Sequence, residues 1–270
     1  MNPRDFFASI AQSVLAGYDA VIDGEVIANQ TFENVAVGIL VRANNVTIKR
    51  CTFRRLISDG RNSTAVIVQN GIVGTRILEC EVDGRDSLSD GAGIVLQSGC
   101  RGVVVGDCYI HHMQRIGLSM GAITLAEFAS PLPDQSEHYI TRNVIEYCGT
   151  IGVTGDAGSG IVILGQSNRH TVRENRVRRN RGHGIALSGS MRGDGTVGTP
   201  KFDESPTWNV IADNIVEYNG EDGIRNSGAN YTWIRHNFCY TNGGVPINIV
   251  PVGGTSDSRG VQRVENREVF

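Results

Sequence analysis

The chain has 270 residues, 40% of them hydrophobic, and a formal net charge of −3; it can bury a full core and is not a disordered polymer. With 25 basic against 28 acidic residues it offers no electropositive footprint for nucleic acid, and no apolar run approaches the ~18 residues of a membrane span. Glycine is in excess, 34 residues against 7 prolines, without the period of collagen, so many turns between short extended segments are expected.

In chain order, Asn2 suits a helix N-cap and Pro3 the first helical position. Phe6, Phe7, Ile10, Val14 and Leu15 then share one helical face before Gly17. This predicts a short amphipathic helix, and residues 1–17 are taken as an N-terminal cap. The pattern is not that of a signal peptide, so a cytoplasmic location is expected, with secretion or a virion as the alternatives.

From residue 18 onward the chain repeats. The segments Ile48-x-x-Cys51-x-Phe53, Ile77-x-x-Cys80-x-Val82, Val105-x-x-Cys108-x-Ile110, Ile140-x-x-Asn143-x-Ile145, Val172-x-x-Asn175-x-Val177, Ile211-x-x-Asn214-x-Val216 and Ile234-x-x-Asn237-x-Cys239 share one pattern. Their anchors are spaced by 29, 28, 35, 32, 39 and 23 residues. A period in this range with variable insertions signals a solenoid. Each unit also carries a short β-branched strand such as Gly93-Ile94-Val95-Leu96, Gly160-Ile161-Val162-Ile163 or Gly184-Ile185-Ala186-Leu187. The shortest rung, 23 residues, has room for three such strands and three turns.

These segments resemble the right-handed parallel β-helix superfamily, the pectin-lyase-like fold. The resemblance implies an all-β, single-stranded parallel β-helix of about eight coils over residues 18–252. The helix at 1–17 would cap it, and 253–270 would form a C-terminal tail or cap. Asn143, Asn175, Asn214 and Asn237 should stack as a ladder that hydrogen-bonds turn backbone. Asn180, Asn219 and Asn242, each five residues on, should form a second. Cys51, Cys80 and Cys108 would take the anchor place in earlier coils as buried, reduced thiols. No metal or cofactor is expected: the six cysteines form no C-x-x-C pair, His111-His112 lacks spaced partners, and the Asp cluster of calcium-dependent relatives is absent.

In this fold the G-I-x-L strand resembles the first parallel sheet, which carries the cleft in most family enzymes. Alternation points Ile67, Val95, Ser119, Val162, Ala186, Arg225 and Asn248 outward. The long spacings place loops at about 121–137, with Glu127, and 189–208, with Trp208; a further long turn, 148–159, holds Asp156. Gly182-His183-Gly184 resembles the G-H-G segment of polygalacturonases, although the other motifs of that family are missing. Asn219-Gly220-Glu221-Asp222-Gly223-Ile224 resembles a segment of alginate epimerases, whose D-P-H segment is missing. His183, Asp222 and Asp156 are therefore the expected catalytic residues. Arg225, Arg115, Ser119, Ser188, Glu127 and Trp208 are the expected substrate contacts. His183 would act as the base, Arg225 would neutralise a uronate, and Asp156 with Asp222 would be a hydrolase pair.

Two function classes follow. One is a lyase, epimerase or hydrolase on a glycan, or an acid–base enzyme on another small molecule. The other is a structural or adhesive trimer such as a tail-spike segment, its outer apolar row forming the interface. A monomer or a homotrimer is expected accordingly.

Overall fold

In the computed structural model, residues 16–57, 63–87, 91–97, 99–121, 135–165, 167–189, 206–250 and 261–269 are described. They form three parallel sheets of nine strands each, in which every strand pairs with those one coil before and after. The first sheet runs through Ala16–Ala20, Val37–Val41, Thr64–Val68, Ile94–Leu96, Leu118–Met120, Ile161–Leu164, Ile185–Ser188, Ile224–Ser227 and Ile247–Val250. The second runs from Val26–Ala28 to Gln262–Val264, and the third from Thr31–Glu33 to Arg267–Val269. This is the expected β-helix, with nine coils rather than about eight. The predicted helix falls almost entirely on residues outside those described, and Ala16 and Gly17 already belong to the first strand. Residues 262–269, expected in a tail or cap, carry two strands that extend the second and third sheets.

The register is set residue on residue. Ile48 pairs with Ile77, Ile77 with Val105, Val105 with Ile140 and Ile140 with Val172. Like β-branched side chains, isoleucine or valine, thus stack inward, and these five are fully buried. A slip of one residue would turn the row out to water.

Both asparagine ladders form. Asn143, Asn175, Asn214 and Asn237 each donate Nδ2 to the Oδ1 of the next at 2.9–3.0 Å, and Asn237 extends the row to Asn266 at 3.1 Å. Asn180 donates to Asn219 and Asn219 to Asn242, at 3.0 and 2.9 Å. The same Oδ1 atoms accept backbone N–H groups, as in Asn175 N–H to Asn214 at 3.0 Å. Cys80 and Cys108 occupy the anchor row with their thiols 3.2 and 3.3 Å from the carbonyls of Leu78 and Gly106. All six cysteines are free and buried, and burial pushes the Cys148 thiol up to about 12, which makes it inert.

The residue before each anchor turns the corner in the left-handed region. Arg50, Glu79, Asp107, Arg142, Glu174, Asp213, His236 and Glu265 all have φ between 49° and 57°. Such a conformation costs a non-glycine residue about 1–2 kcal/mol. The stacked backbone offsets it, because Arg50 N–H bonds to Leu78 O and Glu79 N–H to Gly106 O, both at 3.0 Å. Basic and acidic side chains also meet along this corner. Arg142 lies 2.8 Å from Asp107 and 3.9 Å from Glu174, and His236 lies 3.5 Å from Asp213 and 2.6 Å from Glu265.

The glycine excess has a steric cause at the start of the first-sheet strands. A Cβ on Gly184 would lie 2.3 Å from Val216 Cγ1 and 2.6 Å from Gly223 O. One expectation is corrected here. Val95, Ser119, Val162 and Ala186 on the outer row are at most 4% exposed, and Ala92, Val95, Ile116 and Val162 form a second apolar cluster with Ile67 and Leu164. An apolar row of this size is stable only when shielded from water, and here it is shielded within one chain.

Candidate functional site

Three turns at the starts of first-sheet strands, with side chains from the strands themselves, converge along one rim of the first sheet and the outer face next to it. The 3-10 turn Gly155–Gly158 carries Asp156. The turn before Ile185–Ser188 carries His183, and that strand ends in Ser188. The turn before Ile224–Ser227 carries Glu221 and Asp222, and Arg225 lies on the strand itself. Asn248 comes from the next strand.

A side-chain ladder builds this rim. Ser159 Oγ accepts the N–H of His183 at 3.1 Å. His183 Nδ1 accepts the N–H of Asp222 at 3.1 Å. Asp222 Oδ1 accepts the N–H of Val245 at 3.0 Å. Because Nδ1 is an acceptor, the neutral imidazole carries its proton on Nε2. That atom lies 3.1 Å from Glu221 Oε2, which also accepts the N–H of Gly155 at 3.0 Å. Arg225 Nη1 stands 3.4 Å from the same Nε2; with a proton there, this is a contact rather than a hydrogen bond. Burial is the main reason that His183 titrates below the usual histidine range, and Arg225 adds to it, while Glu221 and the two aspartates oppose it.

Asp222 is nearly enclosed. Its Oδ2 accepts Asn248 Nδ2 at 2.8 Å and lies 3.8 Å from Arg225. Asp156 Oδ2 accepts the Ser188 hydroxyl at 2.6 Å. Glu221 and Arg225 are the more open members, with side chains 34% and 35% exposed.

The structure thus brings together His183, Asp222, Asp156, Arg225 and Ser188. Ser119 is not with them: it is fully buried in the outer row between Val95 and Val162. Arg115 sits at the same corner two coils earlier, its carbonyl accepting the N–H of Gly149 at 2.9 Å. Trp208 lies past the other end of the first sheet, stacked on Tyr231 at 4.5 Å. Glu127 lies outside the described residues. Glu221 and Asn248 join the site without having been expected in it. Glu221 is adjacent to Asp222, but a reading of one residue per coil passes over it.

A second cluster of polar side chains lies away from this rim. Among the described residues Asp83, His111 and His112 place one ligand atom each within 4.8 Å of one another. Asp83 pairs with His111 in register, so the spaced partner that His111-His112 lacked in sequence comes from the previous coil.

No helix among the described residues is long and apolar enough to cross a membrane. A sequence comparison with curated proteins finds no match. Among solved structures, the periplasmic alginate epimerase AlgG superimposes with a TM-score of 0.62 at 14% identity, covering 98% of this chain and 52% of that one. The A-module of the Azotobacter vinelandii mannuronan C-5 epimerase AlgE6 gives 0.59 at 15% identity, covering 96% and 69%. The Dettilon tailspike protein gives 0.56 at 17%, covering 88% and 46%. The chain therefore spans about half the length of AlgG, and at these identities the likeness is one of fold. The profile of the right handed beta helix region matches residues 21–197 and 160–256, and with most of its length so matched the chain belongs to that family.

Proposed function

We propose that this protein is an acid–base enzyme acting on a carbohydrate at the rim formed by Asp156, His183, Ser188, Glu221, Asp222 and Arg225. The observation that carries the reading is the His183–Glu221 contact at 3.1 Å beside a half-exposed guanidinium. Three carboxylates, an imidazole and an arginine from three turns and a strand meet where a structural corner would need only the backbone ladder. The alginate and mannuronan epimerases of the same fold support the substrate class.

The roles differ from those that spacing suggested. A base needs a free lone pair, and His183 offers an N–H. Asp222 has both oxygens engaged, so it orients Asn248 and the backbone of Val245 rather than moving protons. Glu221 is the proton-handling carboxylate: Gly155 and His183 both hold Oε2, and Oε1 is the oxygen assigned to the substrate proton. Arg225 neutralises an anionic group, as abstraction of a proton next to a carboxylate requires. Asp156, with Ser188, serves the second proton transfer. The apolar row that favoured a trimeric spike is covered, and that reading loses its main support. The cytoplasmic expectation has no support either, since buried thiols are shielded in an oxidising compartment as well.

Incubation with uronate-containing and neutral glycans in D2O tests this. Deuterium at C5, an unsaturated product or new reducing ends, each lost in Glu221→Gln, is the expected outcome. Turnover that survives Glu221→Gln undiminished overturns the assignment, and a stable trimer without turnover on any glycan favours the adhesive reading.

A further inference from the structure

The geometry points to a second site, unrelated to the rim, that binds one divalent transition-metal ion on the outer face of the third sheet. Its ligands are Asp83, His111 and His112. The Nδ1 atoms of His111 and His112 lie 2.8 Å apart in a hydrogen bond whose proton is released to solvent when an ion takes both lone pairs, and Asp83 Oδ1 lies 3.5 Å from His111 Nδ1. Ligands bound at about 2.0–2.2 Å around one ion stand roughly 3–3.5 Å from one another; these two separations bracket that range, and all three ligand atoms lie within 4.8 Å, so a small rotation of Asp83 or His112 closes the set. Two imidazoles and one carboxylate are the donor set of zinc, cobalt, nickel or ferrous iron, not of calcium or magnesium.

The rings are held in place before any ion arrives. Tyr109 stacks on His111 at 4.1 Å and Tyr147 on His112 at 4.8 Å. The far nitrogen of His111, Nε2, lies 3.4 Å from Glu81 Oε1. A carboxylate behind a ligating histidine fixes its tautomer so that the other nitrogen presents a lone pair. His111 is 1% exposed, while His112 and Asp83 are half-buried, so the open side of the site is theirs. Arg85 holds Asp83 through Nε and Nη2 at 2.6–3.1 Å. It is the one cation in contact with the ligands among the described residues, and its side chain is 59% exposed, so it can swing into solvent when an ion takes Oδ1. The ion would tie Asp83 to the next coil and stiffen the helix.

Chelator-stripped protein dialysed against zinc and, separately, cobalt should take up one equivalent, and the cobalt form should show visible ligand-field bands. His112→Ala and Asp83→Asn should weaken zinc at least 100-fold, and Glu81→Gln about 10-fold. Zinc should raise the Tm of the wild type and leave that of His112→Ala unchanged. No stoichiometric uptake by the folded wild type overturns the proposal. So does binding that survives His112→Ala, or that disappears in His236→Ala at the charged corner. Folding of His112→Ala and Asp83→Asn is read from circular dichroism, and neither replaces a fully buried side chain.

Discussion

The ring of His183 accepts the backbone N–H of Asp222 through Nδ1 at 3.1 Å. The contact repeats a device found elsewhere in the molecule. His138 Nδ1 accepts the N–H of Val103, His170 Nδ1 that of His138, and Asn209 Oδ1 that of His170, at 3.2, 3.1 and 2.9 Å. A histidine nitrogen and an asparagine oxygen therefore serve the same backbone donor.

That equivalence separates structure from chemistry at position 183. His183→Asn keeps an acceptor for Asp222 N–H and removes the Nε2 donor to Glu221. Its stability in urea should fall by less than about 1 kcal/mol, whereas turnover should drop roughly 10²–10⁴-fold. Equal losses in both would make His183 a scaffold residue only.

Asp222 should behave in the opposite way. Asp222→Ala strips the acceptor from Val245 N–H and Asn248 Nδ2, and buried donors left unpaired cost about 1–3 kcal/mol. Asp222→Asn keeps an acceptor oxygen and should recover most of that stability, measured by chemical denaturation. A catalytic Asp222 would instead lose turnover in both variants alike.

In the first asparagine ladder, Asn214 accepts both the N–H and the Nδ2 of Asn175 and donates to Val172 O and Asn237. Asn214→Ala should destabilise the protein by about 2 kcal/mol or more. Amide exchange should rise most at Asn175, whose N–H loses its acceptor. Uniform exchange along the chain would show that the ladder is not a local clamp.

His138 and His170 stack at 4.5 Å with their planes 2° apart, and burial pulls the pKa of His138 down to about 3 and that of His170 well below the usual range. In the unfolded chain both rings take a proton below about 6.5, while the folded rings stay neutral. Acidification thus favours the unfolded state. Each ring should remove up to about 1.4 kcal/mol of stability per pH unit from about pH 6.5 down toward pH 3. His170→Asn keeps the ladder acceptor and should flatten this slope between pH 6.5 and 4.5 in denaturation curves. An unchanged slope would assign acid sensitivity to other groups.

The sequence by itself determined the coil. Apolar side chains two apart on strands too short for helices, with Asn or Cys at one corner, leave a stacked parallel solenoid as the way to bury them. Five of the nine expected site residues also come together, because Asp156, His183, Ser188, Asp222 and Arg225 each occupy a place counted from a glycine or a strand end. The tertiary structure decided what no count along the chain contains. Hydrogen-bond direction put the proton of His183 on Nε2 and engaged both oxygens of Asp222, which is why the proposed proton-handling role falls to Glu221. Stacking brought Asp83 beside His111, 28 positions further along the chain. Burial of Ser119 with Val95 and Val162 depended on what covers an outer face, and alternation distinguishes only the two sides of a strand.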